Sequence, residues 1–416
     1  GIKEYVKNIK KFITVPNHAR AMRVLVEERM AKLLEFSNNT ELNYITWNDK
    51  KIGVIASGGA YSYAREVFGD SVSYLKLGFT NPLPDAKISE FCKAVETVYV
   101  IEENDPYIEE RVRLLGFDCM GKNMFPYCGE LTPDVIRKSV YGKEMPGLAE
   151  DEGRAVPRPP ALCAGCPHRG VFYELGKKRG LMIVGDIGCY TLGFAEPYNA
   201  MDLTVCMGMG ISGAHGAQQV FNMEAAPKKL RTVAIQGDST FFHTGVSALL
   251  DVTYNLSNTI NIILDNRITG MTGHQENPGS GYTLQGKRTT EVSIEALVRA
   301  CGIEDVRVID PNNLKEVRAA LDWAMALEGP SVIITRWPCV LKKFSPQDKE
   351  EFKGAFTAKC VVDHSKCIGC RACIRTGCPA ISFDNETKKS TIGMGCVGCE
   401  ICLQVCPKQA IVKEEA

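Results

Sequence analysis

QGDSTFFHTGVSALLDVTYNLSNTINIILDNRITG, residues 236–270, decides the fold. An apolar run, TVAIQ, ends in Gly237-Asp238-Ser239. A helix-patterned segment follows, and a second apolar run, INIIL, ends in Asp265-Asn266. Strand, helix and strand in this succession point to a parallel sheet, and such sheets bind ligands beyond the carboxyl ends of their strands. A carboxylate and an amide presented there suit a hard divalent ion such as Mg²⁺, which takes oxygen ligands and usually sits with phosphates. The alternative is two ordinary strand-to-helix turns.

Working outward, LMIVGDIG and PSVIITRW add strands, so an α/β domain is expected over 162–345. Upstream, KIGVIASGGAY, VSYLKLGFTNPLP and TVYVIEEN predict a second α/β domain with a parallel sheet over 46–145. Ser57-Gly58-Gly59 could cradle a phosphate, but a tight strand-to-helix turn is the favoured reading. Residues 1–45 read as a helical connector, 146–161 (PGLAEDEGRAVPRPPA) as a linker, 346–358 as a second linker, and 359–416 as a cysteine-rich tail.

The 416 residues are 45% hydrophobic with 38 glycines, enough for two to four domains with buried cores. A formal net charge of zero gives no electrostatic case for nucleic acid or an anionic membrane. No apolar run reaches membrane-spanning length, and GIKEYVKNIKKF has no signal-peptide core. The first residue is not methionine, so the interior of a longer gene product is expected. Of 18 cysteines, ten are scattered through 1–360 and eight crowd into 367–406, which suggests a reduced cytoplasmic protein with metal clusters rather than a disulfide framework.

The tail holds one internal repeat, CIGCRACIRTGCP and CVGCEICLQVCP. The second run matches the C-x2-C-x2-C-x3-CP pattern of bacterial two-cluster ferredoxins; the first carries one extra residue before its last cysteine. Three close thiolates wrap one corner of a four-iron cube, and the fourth cysteine of each run serves the other cube. Cys367, Cys370, Cys373 and Cys406 are therefore expected to hold one [4Fe–4S] cluster, and Cys396, Cys399, Cys402 and Cys378 the next. Zinc or disulfides are the competing reading. Cys360 lies outside both runs and reads as a bystander.

The spacing from GDS to Asn266 resembles the thiamine diphosphate motif, and GMTGHQENPGSG (270–281) resembles the TGGQ-type loop of 2-oxoacid:ferredoxin oxidoreductases. With LCAGCPHRG, GDIGCYTLG (185–193), CMGMGISGAHG (206–216), RWPC (336–339) and the tail, the chain resembles the α-subunit family of indolepyruvate:ferredoxin oxidoreductases. LKLGFTNPLP and VYVIEEN resemble that family's transketolase C-terminal-like domain. The family's N-terminal domain, which binds the aminopyrimidine, has no counterpart here. The resemblance implies two doubly wound parallel-sheet domains, one transketolase C-terminal-like and one thiamine diphosphate-binding, plus a small two-[4Fe–4S] ferredoxin-like α+β domain.

It implies that Asp238, Asn266 and the Ile268 carbonyl ligate Mg²⁺, with Gly237, Ser239 and Thr272 at the cofactor. It also implies a third, proximal [4Fe–4S] cluster on Cys163, Cys166, Cys189 and Cys339, the alternative being buried small hydrophobes. Gly208, Gly210 and Gly213 form a GxGxxG, but no acid-ended strand supports a dinucleotide reading. They are expected to shape a turn and helix whose end amides face the diphosphate. Four of the six histidines, His168, His215, His243 and His274, lie in motifs, and His243 and His274 are favoured as proton donors or carboxylate partners. His274 stands where the wider family has glycine.

The expected reaction is oxidative decarboxylation of a 2-oxoacid, an arylpyruvate such as indolepyruvate, to its acyl-CoA, with electrons passing through the clusters to ferredoxin. Expected partners are a second (β) subunit and the missing pyrimidine-binding domain. An electron-relay subunit with a non-catalytic thiamine site is the alternative. A non-oxidative decarboxylase is disfavoured, because it needs no cluster chain.

Overall fold

The computed structural model describes residues 2–143 and 158–415. Most of the linker expected at 146–161 lies outside the described residues. The chain divides into two compact units, Gly1–Val156 and Pro157–Ala416.

In the first unit, strands β1 (Tyr44–Thr46), β2 (Ile52–Ser57), β3 (Ser73–Leu77) and β4 (Thr97–Ile101) form one sheet in the order β1-β3-β2-β4. The last three are parallel, but β1 pairs antiparallel with β3, so the sheet is mixed where a parallel one is expected. Alternation along the strands separates two cores. Val54, Ala56 and Tyr74 pack against helices Gly58–Phe68 and Pro133–Tyr141, and Ile55, Leu75 and Leu77 against helices Asp85–Ala94 and Tyr107–Leu114. The connector expected over 1–45 holds helix Pro16–Asn39, and its end is built into this unit. Buried Asn43 donates to the carbonyls of Ser37 and Phe79 and accepts from the amides of Gly78 and Phe79. With a further bond to the Ser37 hydroxyl, this one carboxamide ties the helix end to the strand β3 exit.

In the second unit, β5 (Leu181–Val184), β6 (Arg231–Gly237), β7 (Ile260–Asp265), β8 (Val306–Ile309) and β9 (Ser331–Arg336) form an all-parallel sheet, order β5-β6-β7-β9-β8. Every residue of β7 is buried, as a central parallel strand covered on both faces requires. Helices His168–Leu175 and Leu314–Ala326 cover one face; Gly210–Asn222, Val246–Tyr254 and Ile294–Ala300 cover the other. Edge strand β8 carries no clear sequence signal, because Arg307 interrupts its apolar run, Val308 is exposed and only Ile309 is buried.

The segment 346–358 is packed structure rather than a linker. Ser345 and Asp348 form a capping box on helix Pro346–Glu351, buried Lys342 pairs with Asp348, and Trp337 meets Phe352 edge-on. The tail then forms two antiparallel ribbons, β10 (Ala358–Val362) with β13 (Ile411–Glu415) and β11 (Ile381–Asp384) with β12 (Lys389–Ile392). It belongs to the same compact unit as the five-stranded sheet.

Candidate functional site

The carboxyl ends of β5, β6, β7 and β9 deliver Asp186, Asp238, Asn266 and Cys339 to one edge of the parallel sheet. A cavity of about 410 Å³ there is lined by Gly237, Asp238, Ser239, Asn266, Ile268 and Thr272, all expected at the cofactor, together with His168, Cys189 and Tyr190. Asp238 is buried; its Oδ1 accepts the Ser239 amide at 2.7 Å, while Oδ2, with the Asn277 carboxamide and the Ile268 amide nearby, closes no hydrogen bond of good geometry. Burial first, and the neighbouring Asp265 carboxylate second, push its carboxyl up to about 8. A buried acceptor without a well-placed donor is costly, and a divalent ion would satisfy it. The residues present therefore fit Mg²⁺: one carboxylate oxygen free, one amide and one carbonyl on the adjoining turn.

That turn is held from behind. Arg336 donates from Nε to Asp265 Oδ2 at 2.7 Å and by a two-pronged contact to Glu295. Arg267, with φ +61°, turns away from the cavity to pair with Glu291 and, at 2.7 Å, Glu351. Two guanidiniums thus anchor the Asp265–Arg267 corner and fix where the Asn266 amide points.

Of the four separated cysteines, Cys189 lines this cavity and the other three gather beside it. The Sγ atoms of Cys189 and Cys339 each lie 4.0 Å from the position a Cβ would take on Gly270. Cys163 is close enough to act electrostatically on Cys166, Cys189 and Cys339. Burial pushes the Cys166 thiol up to about 12 and raises Cys189 and Cys339 in the same direction. In the tail, Cys367, Cys370, Cys373 and Cys406 line one cavity of about 350 Å³. Cys378, Cys396, Cys399 and Cys402 line another of about 350 Å³. Among the described residues no three His, Cys, Asp or Glu side chains are placed for a single metal ion. The thiols instead surround cavities, the arrangement a cube ligated at its corners requires.

Cys360 also lines the second tail cavity, and its amide donates to Cys396 Sγ at 3.3 Å, so it is not the bystander the sequence suggests. The extra residue in the first run leaves Cys378 on the cavity wall.

Two other placements differ from expectation. Gly208 and Gly210 do not offer their amides to the cavity. Fully buried Asp186 takes them, at 2.8 Å and 3.0 Å, and also accepts Gln236 Nε2 at 3.0 Å. Both amides are thus taken by a side chain of the protein itself, and Met207 rather than either glycine lines the cavity. Among the histidines, His243 is exposed and off the cavity wall, and His274 Nε2 lies 3.9 Å from Cys339 Sγ. His168 lines the cavity, edge-on to Tyr190 at 5.8 Å, and burial lowers its imidazole to about 4. Its signal was present in CPHRG, but four motif histidines were indistinguishable without their directions.

Comparison with known proteins accords with this geometry. The family "Thiamine pyrophosphate enzyme, C-terminal TPP binding domain" matches residues 186–335, the span from Asp186 through strand β9. Curated relatives titled "Indolepyruvate oxidoreductase subunit IorA" align with nearly the whole chain. That of Thermococcus kodakarensis is 36% identical over 98% of this chain and 67% of its own length. That of Archaeoglobus fulgidus is 34% identical over 98% and 67%, and that of Methanothermobacter marburgensis 37% identical over the same shares. At this identity and coverage the chain belongs to the family of indolepyruvate oxidoreductase IorA subunits.

Proposed function

We propose that this chain supplies the diphosphate-binding half and the electron relay of an enzyme that oxidises a 2-oxoacid, an arylpyruvate such as indolepyruvate, to its acyl-CoA. The balance is one 2-oxoacid, one coenzyme A and two oxidised ferredoxins giving acyl-CoA, CO₂, one proton and two reduced ferredoxins. One observation carries the reading: Cys189 lines the same cavity as Asp238, so the thiol set adjoins the metal corner.

Asp238, Asn266 and the Ile268 carbonyl hold Mg²⁺, and Gly237, Ser239 and Thr272 bound the space for the diphosphate. When bound, thiamine diphosphate supplies the electron sink for decarboxylation and the clusters supply one-electron steps. Cys163, Cys166, Cys189 and Cys339 ligate the cluster next to the cofactor. The two tail sets, in a ferredoxin-like domain, ligate the others. His168, neutral in its buried position, orients a polar group of the bound cofactor or substrate from the cavity wall. His274 sits behind Cys339, and exposed His243 is available to an added chain. The pyrimidine half of the cofactor is gripped by the third of the relatives' length that this chain does not span, and a second subunit completes the complex. No helix among the described residues is long and apolar enough to cross a membrane, and we place the complex in the cytoplasm.

Anaerobic purification of the full complex, followed by mass spectrometry of its cofactors and by dye reduction with arylpyruvates against aliphatic 2-oxoacids, tests the reading. Thiamine diphosphate with arylpyruvate-dependent reduction supports it. Clusters without thiamine diphosphate would leave an electron-relay subunit.

A further inference from the structure

Arg169 is fully buried, the bulkiest side chain so placed among the described residues. Its partners are all neutral. Nη1 donates to the Tyr198 hydroxyl at 2.5 Å and to the Thr376 carbonyl at 3.0 Å. Nη2 donates to the carbonyls of Leu162 at 2.8 Å and Cys163 at 2.7 Å, and Nε has no partner. A buried guanidinium without a carboxylate is a charge left uncompensated, which folded proteins seldom tolerate.

Its surroundings name the missing counter-charge. On one side it is bonded to Cys163 and is close enough to act on Cys166. On the other it lines the cavity of Cys378, Cys396, Cys399 and Cys402 and acts on Cys399. Ala164 and Gly165, between the first two cysteines, line that same cavity. The cavity of Cys367, Cys370, Cys373 and Cys406 includes neither Arg169 nor any residue of the 163–166 loop. A cube held by four thiolates is anionic, and becomes more so when reduced.

We infer that Arg169 is the shared counter-cation of the proximal thiol set and the nearer tail set, and that it raises the reduction potential of both while leaving the outer set alone. This rests on the cluster assignments of the proposed function. Each one-electron reduction adds one negative charge beside the guanidinium, so the cation favours the reduced state at both positions. Its four hydrogen bonds, reaching from the 162–163 strand of chain to Thr376, also hold the two sets in a fixed relation.

The test is an electron-paramagnetic-resonance redox titration of the full complex carrying Arg169→Met, Arg169→Gln or Arg169→Lys, with iron content measured on each. Removing the charge is expected to lower the reduction equilibrium of two clusters at least about tenfold, or 59 mV for a one-electron couple. The third cluster stays at the parent value. Arg169→Lys loses the fork and some thermal stability but holds both potentials near the parent. If Arg169→Met fails to retain iron, Arg169→Gln, which keeps an amide donor, takes its place. If both neutral variants lose iron, Arg169→Lys decides: iron retained with the lysine charge alone supports a required counter-cation, and iron lost there as well overturns the inference. Unmoved potentials in an iron-replete neutral variant, three equal shifts, or a drop in Arg169→Lys would each overturn it. Fewer than three clusters in the parent would instead overturn the relay assignment.

Discussion

The Asp186 carboxylate accepts the Gly208 amide through both oxygens, at 2.8 Å and 3.0 Å. The acid follows β5 and the glycine follows a loop twenty-odd residues on, so this contact closes the wall of the cofactor cavity from two separate turns. Gly208 has φ +98°, a conformation that a side chain resists, and a Cβ there would also crowd Thr244.

Replacing Asp186 with alanine strands the Gly208 and Gly210 amides and the Gln236 carboxamide, each at about 1–3 kcal/mol. Thermal stability of the complex should fall, and the dissociation constant for thiamine diphosphate should rise at least about tenfold, which is about 1.4 kcal/mol. Asp186→Asn, which keeps one acceptor, should lose less. Calorimetric titration with the cofactor measures both.

Asp238→Ala should abolish Mg²⁺-dependent binding of thiamine diphosphate while leaving the cluster absorbance unchanged. The hard oxygen ligand is local to the β6 turn, and the tail thiols are held elsewhere. Normal cofactor affinity in this variant would refute the metal assignment.

Three thiol sets predict about twelve iron atoms per chain. The Cys163→Ala/Cys166→Ala double variant should fall to about eight. Cys360→Ser should stay at the parent value, because Cys378 already completes the nearer tail set. Anaerobic iron and sulfide analysis reads all three.

Gly165→Ala should loosen the junction between the 163–166 loop and the tail. The position has φ +74°, and an added Cβ would run into the Val397 side chain. Strain and overpacking together should cost about 2–4 kcal/mol. Limited proteolysis should release the tail sooner than in the parent.

Glu174 is buried and pairs at 3.0 Å with Arg318, joining helix His168–Leu175 to helix Leu314–Ala326. Burial alone would raise its carboxyl, but the Arg318 and Lys177 hydrogen bonds outweigh it and hold the group below its usual range. A depressed acid stabilises the fold above its unfolded value and loses that contribution as pH falls through the folded value. Glu174→Gln should therefore lower the melting temperature by a constant amount between about pH 6 and 8, with the gap closing only toward the carboxylate range. A gap that widens on acidification would contradict the pairing.

Reading the chain alone recovers what is encoded locally. Apolar runs ending in GDS and LDN mark the parallel strands, because β6 and β7 need continuous burial and their ends need turn residues. The tail spacing groups eight cysteines into two sets, and each set lines one cavity, because short gaps keep thiols together along the chain. Strands β1 and β8 were lost, being short edge strands with little buried surface to pattern. Cys163, Cys166, Cys189 and Cys339 were grouped only by resemblance, since no local spacing links residues so far apart.

What the tertiary structure decided is direction. A motif states that a histidine is present; only backbone and packing determine that His168 faces the cavity, His274 faces Cys339 and His243 faces outward. The same holds for the glycine amides claimed by Asp186, for Cys360 on the nearer tail cavity, and for Arg169 between two thiol sets. Each depends on segments distant in sequence meeting in space, and the free energy of burying a charge or a thiol is set by what meets it there, not by its neighbours along the chain.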